Sequence, residues 1–136
     1  MEFLRITAPA KYSTLRWQAD SPTLDAALKA LTCSRDAITP FLTHPHPLVR
    51  QSVARRTDLE AETQWELAED PAPIVRYELA TKRNTSPDVL TEVANDLNSI
   101  VRRWVACHPA TPVSVLNRLK QDPIEGVRAF LDKRRA

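Results

Sequence analysis

The sequence predicts an all-α fold, a solenoid of short paired helices with a period of 26 residues. Three observations predict it. The pair Val-Arg recurs in equal steps at Val49-Arg50, Val75-Arg76, Val101-Arg102 and Val127-Arg128, and Asp70, Asp96, Asp122 and Ala54, Ala80, Ala106 keep the same step. A fixed period of this size marks stacked units, each unable to bury its apolar face alone. Within each period the apolar residues fall at helical spacing, as in Ile74-Val75-Leu79 and Val89-Leu90-Val93. The chain also holds one glycine and eleven prolines, which disfavours tight β-hairpins and suits helices that start and stop often.

The elements follow in order as one domain, 1–136. Residues 1–20 read as an N-terminal cap shielding the open end of the stack, with a helix over Lys11 to Ala19 and Asp20 closing it. Residues 21–44 read as a degenerate repeat. Ser21-Pro22 supplies an N-cap and a first helical residue, and Leu24, Ala27, Leu28 and Leu31 form its stripe. Asp36 is expected to cap a second segment with Ile38, Phe41 and Leu42, with Pro40 in its first turn. Full repeats span 45–70, 71–96 and 97–122, and 123–136 is a half repeat. First helices are expected over 47–56, 73–82, 99–108 and 125–134, opening at Pro47, Pro73 and Ser99. Second helices are expected over 59–69, 87–95 and 112–121, with Asp58, Ser86 and Thr111 as N-caps and Pro87 and Pro112 behind two of them.

Charge and cysteine usage bound the function. A net charge of +2 does not by itself imply nucleic acid or a membrane surface. Met1 to Ile6 lacks the apolar run of an export signal, and no stretch has the length of a membrane span. Cys33 and Cys107 lie far apart and read as free thiols in a cytoplasmic protein.

The strings Glu69-Asp70-Pro71-Ala72-Pro73-Ile74-Val75-Arg76 and Arg102-Arg103-Trp104-Val105-Ala106-Cys107-His108-Pro109-Ala110-Thr111-Pro112 resemble the leucine-rich repeat variant, a bacterial family in the style of HEAT repeats. The likeness covers 45–136 well and 1–44 poorly. The unit here is slightly longer than the family's. His44 replaces the aspartate before Pro45, and Leu97 replaces the proline after Asp96. The resemblance implies a right-handed superhelix, with some second helices in 3₁₀ form, that acts by binding. An iron–sulfur segment is associated with the family, but two distant cysteines cannot supply its four thiolates.

Each candidate constellation has a structural alternative. Arg50, Arg76, Arg102 and Arg128 form either a phosphate-binding row or a set of forks holding aspartates and turn carbonyls along the stack. Arg55-Arg56, Lys82-Arg83 and Lys133-Arg134-Arg135 complement helix C-termini or form a nucleic-acid strip. Trp104 and Phe130 share a phase and read as core or end-capping residues. His44, His46 and His108 read as turn residues rather than metal ligands, and no cofactor is expected. No nucleophile–base pair, paired-acid motif or phosphate-cradling glycine loop is visible, so no enzyme is expected.

The outward face of the second helices is the predicted contact strip. It comprises Glu62, Trp65, Glu66 and Glu69, then Asp88, Thr91, Glu92 and Asn95, then Ser114, Asn117, Arg118 and Gln121. Second helices of paired-helix solenoids line the concave side. Trp65 is either an exposed anchor or a replacement for the leucine missing beside Thr63 and Gln64. The function expected is a non-enzymatic protein–protein interaction module whose partner carries a basic segment. Nucleic-acid binding through the first-helix ends and the basic tail is the alternative, and no membrane is involved.

Overall fold

The computed structural model describes residues 20–133, and every regular element among them is helical. The expectations for 1–19 and 134–136 lie outside the described residues. The chain divides into two compact units, Met1–Val53 and Ala54–Ala136.

The first unit holds α1 (Ser21–Thr32), a 3₁₀ turn (Arg35–Ala37), α2 (Thr39–Leu42) and α3 (Pro47–Ala54), whose last residue crosses the boundary. The N-cap of α1 is Asp20, not Ser21. Its carboxylate accepts from the Thr23 amide at 2.8 Å, and hydrogen bonding to the Thr23 side chain, with that amide second, holds the carboxyl below its ordinary value. The stripe read from the spacing is largely exposed. Leu24, Leu28 and Leu31 face outward and the buried residue of α1 is Ala30. Asp36 lies inside the 3₁₀ turn instead of capping α2, and Pro40 falls in the first turn of α2, where its missing N–H has no intrahelical role. In α3, Val49 and Val53 are buried, and the Arg50 Nη1 donates to the carbonyls of His44 at 2.6 Å and Pro45 at 3.1 Å. His44 and His46 serve the turn, their Nδ1 atoms accepting from the amides of His46 and Leu48.

The second unit is built from α4 (Ala61–Ala68), α5 (Pro73–Thr81), α6 (Pro87–Val93), α7 (Ser99–Cys107), α8 (Val113–Leu119) and α9 (Glu125–Lys133). Packing runs mostly from each helix to the next but one: α5 on α7, α7 on α9, and α4 on α6. The first-helix row contributes Val75, Leu79, Val101, Val105, Val127 and Leu131 to the core. The second-helix row contributes Leu67, Val89, Leu90, Val93, Val115 and Leu119. Each such side chain is favoured inside by about 1.5–3 kcal/mol over exposure. Ala80 and Ala106 are buried between neighbouring helices, where a larger side chain would hold them apart.

Polar side chains tie the turns to this core. The Thr85 hydroxyl donates to the Leu79 carbonyl and the Thr111 hydroxyl to the Val105 carbonyl, each at 2.7 Å. Thr111 is therefore a buried turn anchor, not the N-cap expected of it; that place is taken by Pro112. Asp58 does not cap α4 either, because both its oxygens are held by Arg56 at 2.9 and 2.7 Å, and Glu60 occupies the N-cap position. Ser86 does sit at the N-cap of α6, though its hydroxyl makes no capping bond. His108 closes α7: its Nδ1 accepts from the Ala110 amide at 3.0 Å, so Nε2 carries the proton and donates to the Lys82 carbonyl at 2.6 Å.

Candidate partner-binding face

The arginine forks hold the turns in which the second helices end and the next first helices begin. The Arg76 Nη1 donates to the Asp70 carbonyl at 2.6 Å, while its Nε and Nη2 grip the Asp96 carboxylate at 2.5 and 3.1 Å. Arg102 repeats the arrangement with the Asp96 carbonyl at 2.8 Å and the Asp122 carboxylate at 2.7 and 3.1 Å. These arginines are thus structural forks. Burial pushes the Asp122 carboxyl up, but the Arg102 hydrogen bond, the Ile124 amide and the charges of Arg102 and Arg128 together hold it below its ordinary value.

On α4, Gln64, Leu67 and Ala68 turn inward, which leaves Glu62, Trp65, Glu66 and Glu69 exposed. Gln64 stands in the phase of Leu90 and Leu116 yet is only 3% exposed. Its amide nitrogen donates to the carbonyls of Leu59 at 3.5 Å and Asn84 at 3.3 Å, and its oxygen accepts from the Ser86 amide at 2.8 Å. This satisfied amide fills the place of the missing leucine, so Trp65 is not drawn inside and stays 39% exposed. On α6, Val89, Leu90 and Val93 face the core, while Asp88 and Glu92, with Asn95 just past its end, are exposed. Thr91 is half-buried and donates its hydroxyl to the Pro87 carbonyl at 2.9 Å. Ser114, Asn117 and Arg118 on α8, and Gln121 beyond it, are exposed.

The structure gathers only part of this strip into a concavity. A cleft of about 420 Å³ opens between the ends of α4 and α6, lined by Ala68, Glu69, Pro71, Arg76, Glu92, Val93, Asn95, Asp96 and Leu97. Glu62, Trp65, Glu66, Asp88 and Thr91 lie outside it, as do Asn117, Arg118 and Gln121. Its floor is the Arg76–Asp96 pair, so that aspartate is neutralised from within. Glu69 and Glu92 are not: neither makes an ion pair among the described residues, and the same holds for Glu62, Glu66 and Asp88. Glu66 and Glu69 end α4 and Glu92 ends α6, where the helix dipole favours cations, and neither helix has a basic residue in its last turn. By contrast α8 ends with Arg118. Leu97, 97% exposed, stands at the cleft's rim. Sequence reasoning did not place Pro71, Leu97 or the Arg76–Asp96 pair at the site. The one available signal was the leucine replacing proline in a turn.

The first-helix row carries a different surface. Tyr77 and Trp104 meet edge to face at 6.1 Å, and Trp104 meets Phe130 likewise at 5.5 Å. Lys133 lies 4.1 Å from the Phe130 ring centre and Arg103 lies 5.9 Å from it. Gly126, the lone glycine, sits where a Cβ would meet the Arg103 Nε at 3.0 Å. Half-buried in this ladder, Trp104 and Phe130 pack against neighbouring helices. Both cysteines carry free thiols, and among the described residues no group of three metal-ligating side chains converges. No described helix is long and apolar enough to cross a membrane. Comparison with family models, with curated proteins and with solved structures finds no match to this chain.

Proposed function

We propose that the chain is a non-enzymatic protein–protein interaction module that receives a basic segment of its partner on the α4–α6 face. The observation that carries this reading is the set of carboxylates Glu66, Glu69 and Glu92 at helix C-terminal ends with no ion-paired cation among the described residues. A local electrostatic rule is broken there without an intramolecular gain, and such breaks concentrate at functional sites. Trp65 and Leu97 add exposed apolar surface beside the charge, the combination that anchors an amphipathic partner. In this reading the 26-residue step builds a right-handed solenoid of the leucine-rich-repeat-variant kind, a bacterial cytoplasmic scaffold with the second helices on its binding side.

The test is fluorescence anisotropy of a labelled peptide alternating arginine with leucine. Trp65→Ala and Glu92→Ala are each expected to weaken its binding by about tenfold. Binding unchanged in both variants, or no binding at all, refutes the reading. Nucleic acid is the second reading, and it rests on the exposed Arg55 and Arg83 and on Lys133. Arg56, expected in that strip, is buried and bidentate to Asp58, which weighs against it. A gel shift of single-stranded DNA at low ionic strength that disappears with added salt would favour it.

A further inference from the structure

We propose that Lys82 is a site of covalent acylation whose donor is a small acyl phosphate, with Arg55 and Arg83 receiving the phosphoryl group. These three cations lie in the second unit, Arg83 beside Lys82 in the chain and Arg55 close enough for its charge to act on the amine. Arg55 and Arg83 are exposed and Lys82 is half-buried. None of the three makes a side-chain hydrogen bond or ion pair among the described residues. Arg56, by contrast, is closed off by both oxygens of Asp58. The Lys82 backbone is pinned on both sides. Its amide donates to the Glu78 carbonyl at 3.1 Å, and its carbonyl accepts from the His108 Nε2 at 2.6 Å. The amine therefore stands on a fixed base at the end of α5, beside two cations that have no internal anion.

A cation at a helix C-terminus is ordinary where it stays in water. Half-burying its ammonium without an acceptor is not, and lysine differs from arginine in being able to shed its proton. Burial lowers the Lys82 ammonium to about 8, with Arg55 pushing the same way and Glu78 and Asp58 opposing. His108, on α7's end, has both ring nitrogens engaged. About a tenth of the amine is then free at pH 7, against about one in three thousand for an ordinary lysine. That free amine attacks the acyl carbonyl carbon. The C–N bond forms as the bond from that carbon to the bridging phosphate oxygen breaks. Phosphate leaves with the electron pair and takes up the proton that the nitrogen loses. Arginine suits the phosphoryl end of such a donor because its planar fork matches phosphate geometry. The product amide carries no charge, so acylation removes a cation that this half-buried place holds poorly. The inference does not rest on the acidic face described above.

The probe is acetyl phosphate, incubated with the full chain, and acetylation is followed at each lysine by peptide mass spectrometry. Exposed Lys29, Lys120 and Lys133 serve as controls within the same molecule. As with thiols, a less basic nucleophile is intrinsically weaker, which returns part of the gain in free amine. Acetylation at Lys82 is therefore expected to be about tenfold faster at pH 7 than at the three controls. Its rate is expected to level off around a midpoint of about pH 8, whereas an ordinary lysine amine goes on gaining reactivity past about pH 9. Inorganic phosphate is expected to slow Lys82 and to leave Lys29 and Lys120 unchanged. A Lys82 rate no higher than that of the controls overturns the proposal, and so does a rate at Lys82 that keeps rising past pH 9. Indifference of Lys82 to inorganic phosphate overturns the assignment of the donor. Every arm uses the parent chain, so none depends on a variant folding.

Discussion

In the row α5, α7, α9, the guanidiniums of Arg76 and Arg102 each hold an aspartate that is at most 5% exposed in its side chain. In α4 and α6, five carboxylates from Glu62 to Glu92 have no cation among the described residues. The two rows share a chain and a similar apolar stripe, so the difference lies in where the charges are placed. First-row charges stand at turns, where a fork satisfies backbone carbonyls that a short helix leaves open. Second-row charges stand on an outward face, three of them against the dipole of their own helix. The first set is expected to matter to stability and the second to recognition.

The largest expected effect breaks the first row. Arg102→Ala leaves the nearly buried Asp122 without its cation and should cost about 3 kcal/mol, read as a lower urea midpoint. Glu92→Ala in the second row should stay within about 0.5 kcal/mol of the parent. Equal costs for the two would erase the contrast. Acid titration sharpens it. The Asp122 carboxyl is held below 3.8, so its stabilising contribution is present above that value and is lost as the pH falls through the folded-state value. The stability gap between the parent and Asp122→Asn should therefore be full at neutral pH and shrink once the solution is more acidic than about pH 4.

A smaller effect separates pattern from packing. Gln64→Leu matches the phase of Leu90 and Leu116 and looks like an improvement. It strands the Ser86 amide and removes a donor from the Asn84 carbonyl, so it should destabilise by about 1–2 kcal/mol in thermal or urea unfolding.

That residue also shows what a sequence can and cannot disclose. The helices at Pro47, Pro73 and Ser99 were legible because proline or a polar start signal precedes an apolar stripe of fixed phase. Arg76 and Arg102 were legible as forks because aspartate recurs in step with them. Gln64 read as a weak core position because its three partners lie in other segments and no local pattern reports them. Asp58 read as a cap because its competitor Arg56 has the geometry to claim both oxygens, which spacing alone does not reveal. In α1 the spacing of Leu24, Leu28 and Leu31 correctly marks a helix but says nothing of what faces it, and the three are exposed. The acidic strip was legible as exposed residues. The cleft was not, because it depends on where the ends of α4 and α6 come to rest against each other and on Leu97 at its rim.

Neutralising the cleft tests the second row directly. Glu69→Gln with Glu92→Gln removes two charges from helix C-terminal ends, so stability should rise by about 0.3–1 kcal/mol in urea unfolding. Binding of the arginine–leucine peptide should weaken in the same variant. A protein that becomes both firmer and less adhesive is the signature of carboxylates kept for recognition. One that becomes less stable would place these residues with the forks.

The smallest expected effect concerns the exception in the first row. Lys82 follows α5, is half-buried, and its ammonium makes no hydrogen bond or ion pair among the described residues. Burial lowers its ammonium to about 8, with Arg55 pushing the same way and Glu78 and Asp58 opposing. An ammonium whose folded-state value lies below its unfolded one holds its proton more tightly in the unfolded chain, so it subtracts stability at low pH. That penalty fades as the pH rises from about 8 to 10.5, where both states lose the proton. Lys82→Met keeps the aliphatic stem and removes the charge. It should be slightly more stable than the parent at pH 7, and the gap should close by pH 10.5. A variant less stable than the parent at pH 7 would mean that this ammonium has a carboxylate partner in solution, and the first row would then hold no exception.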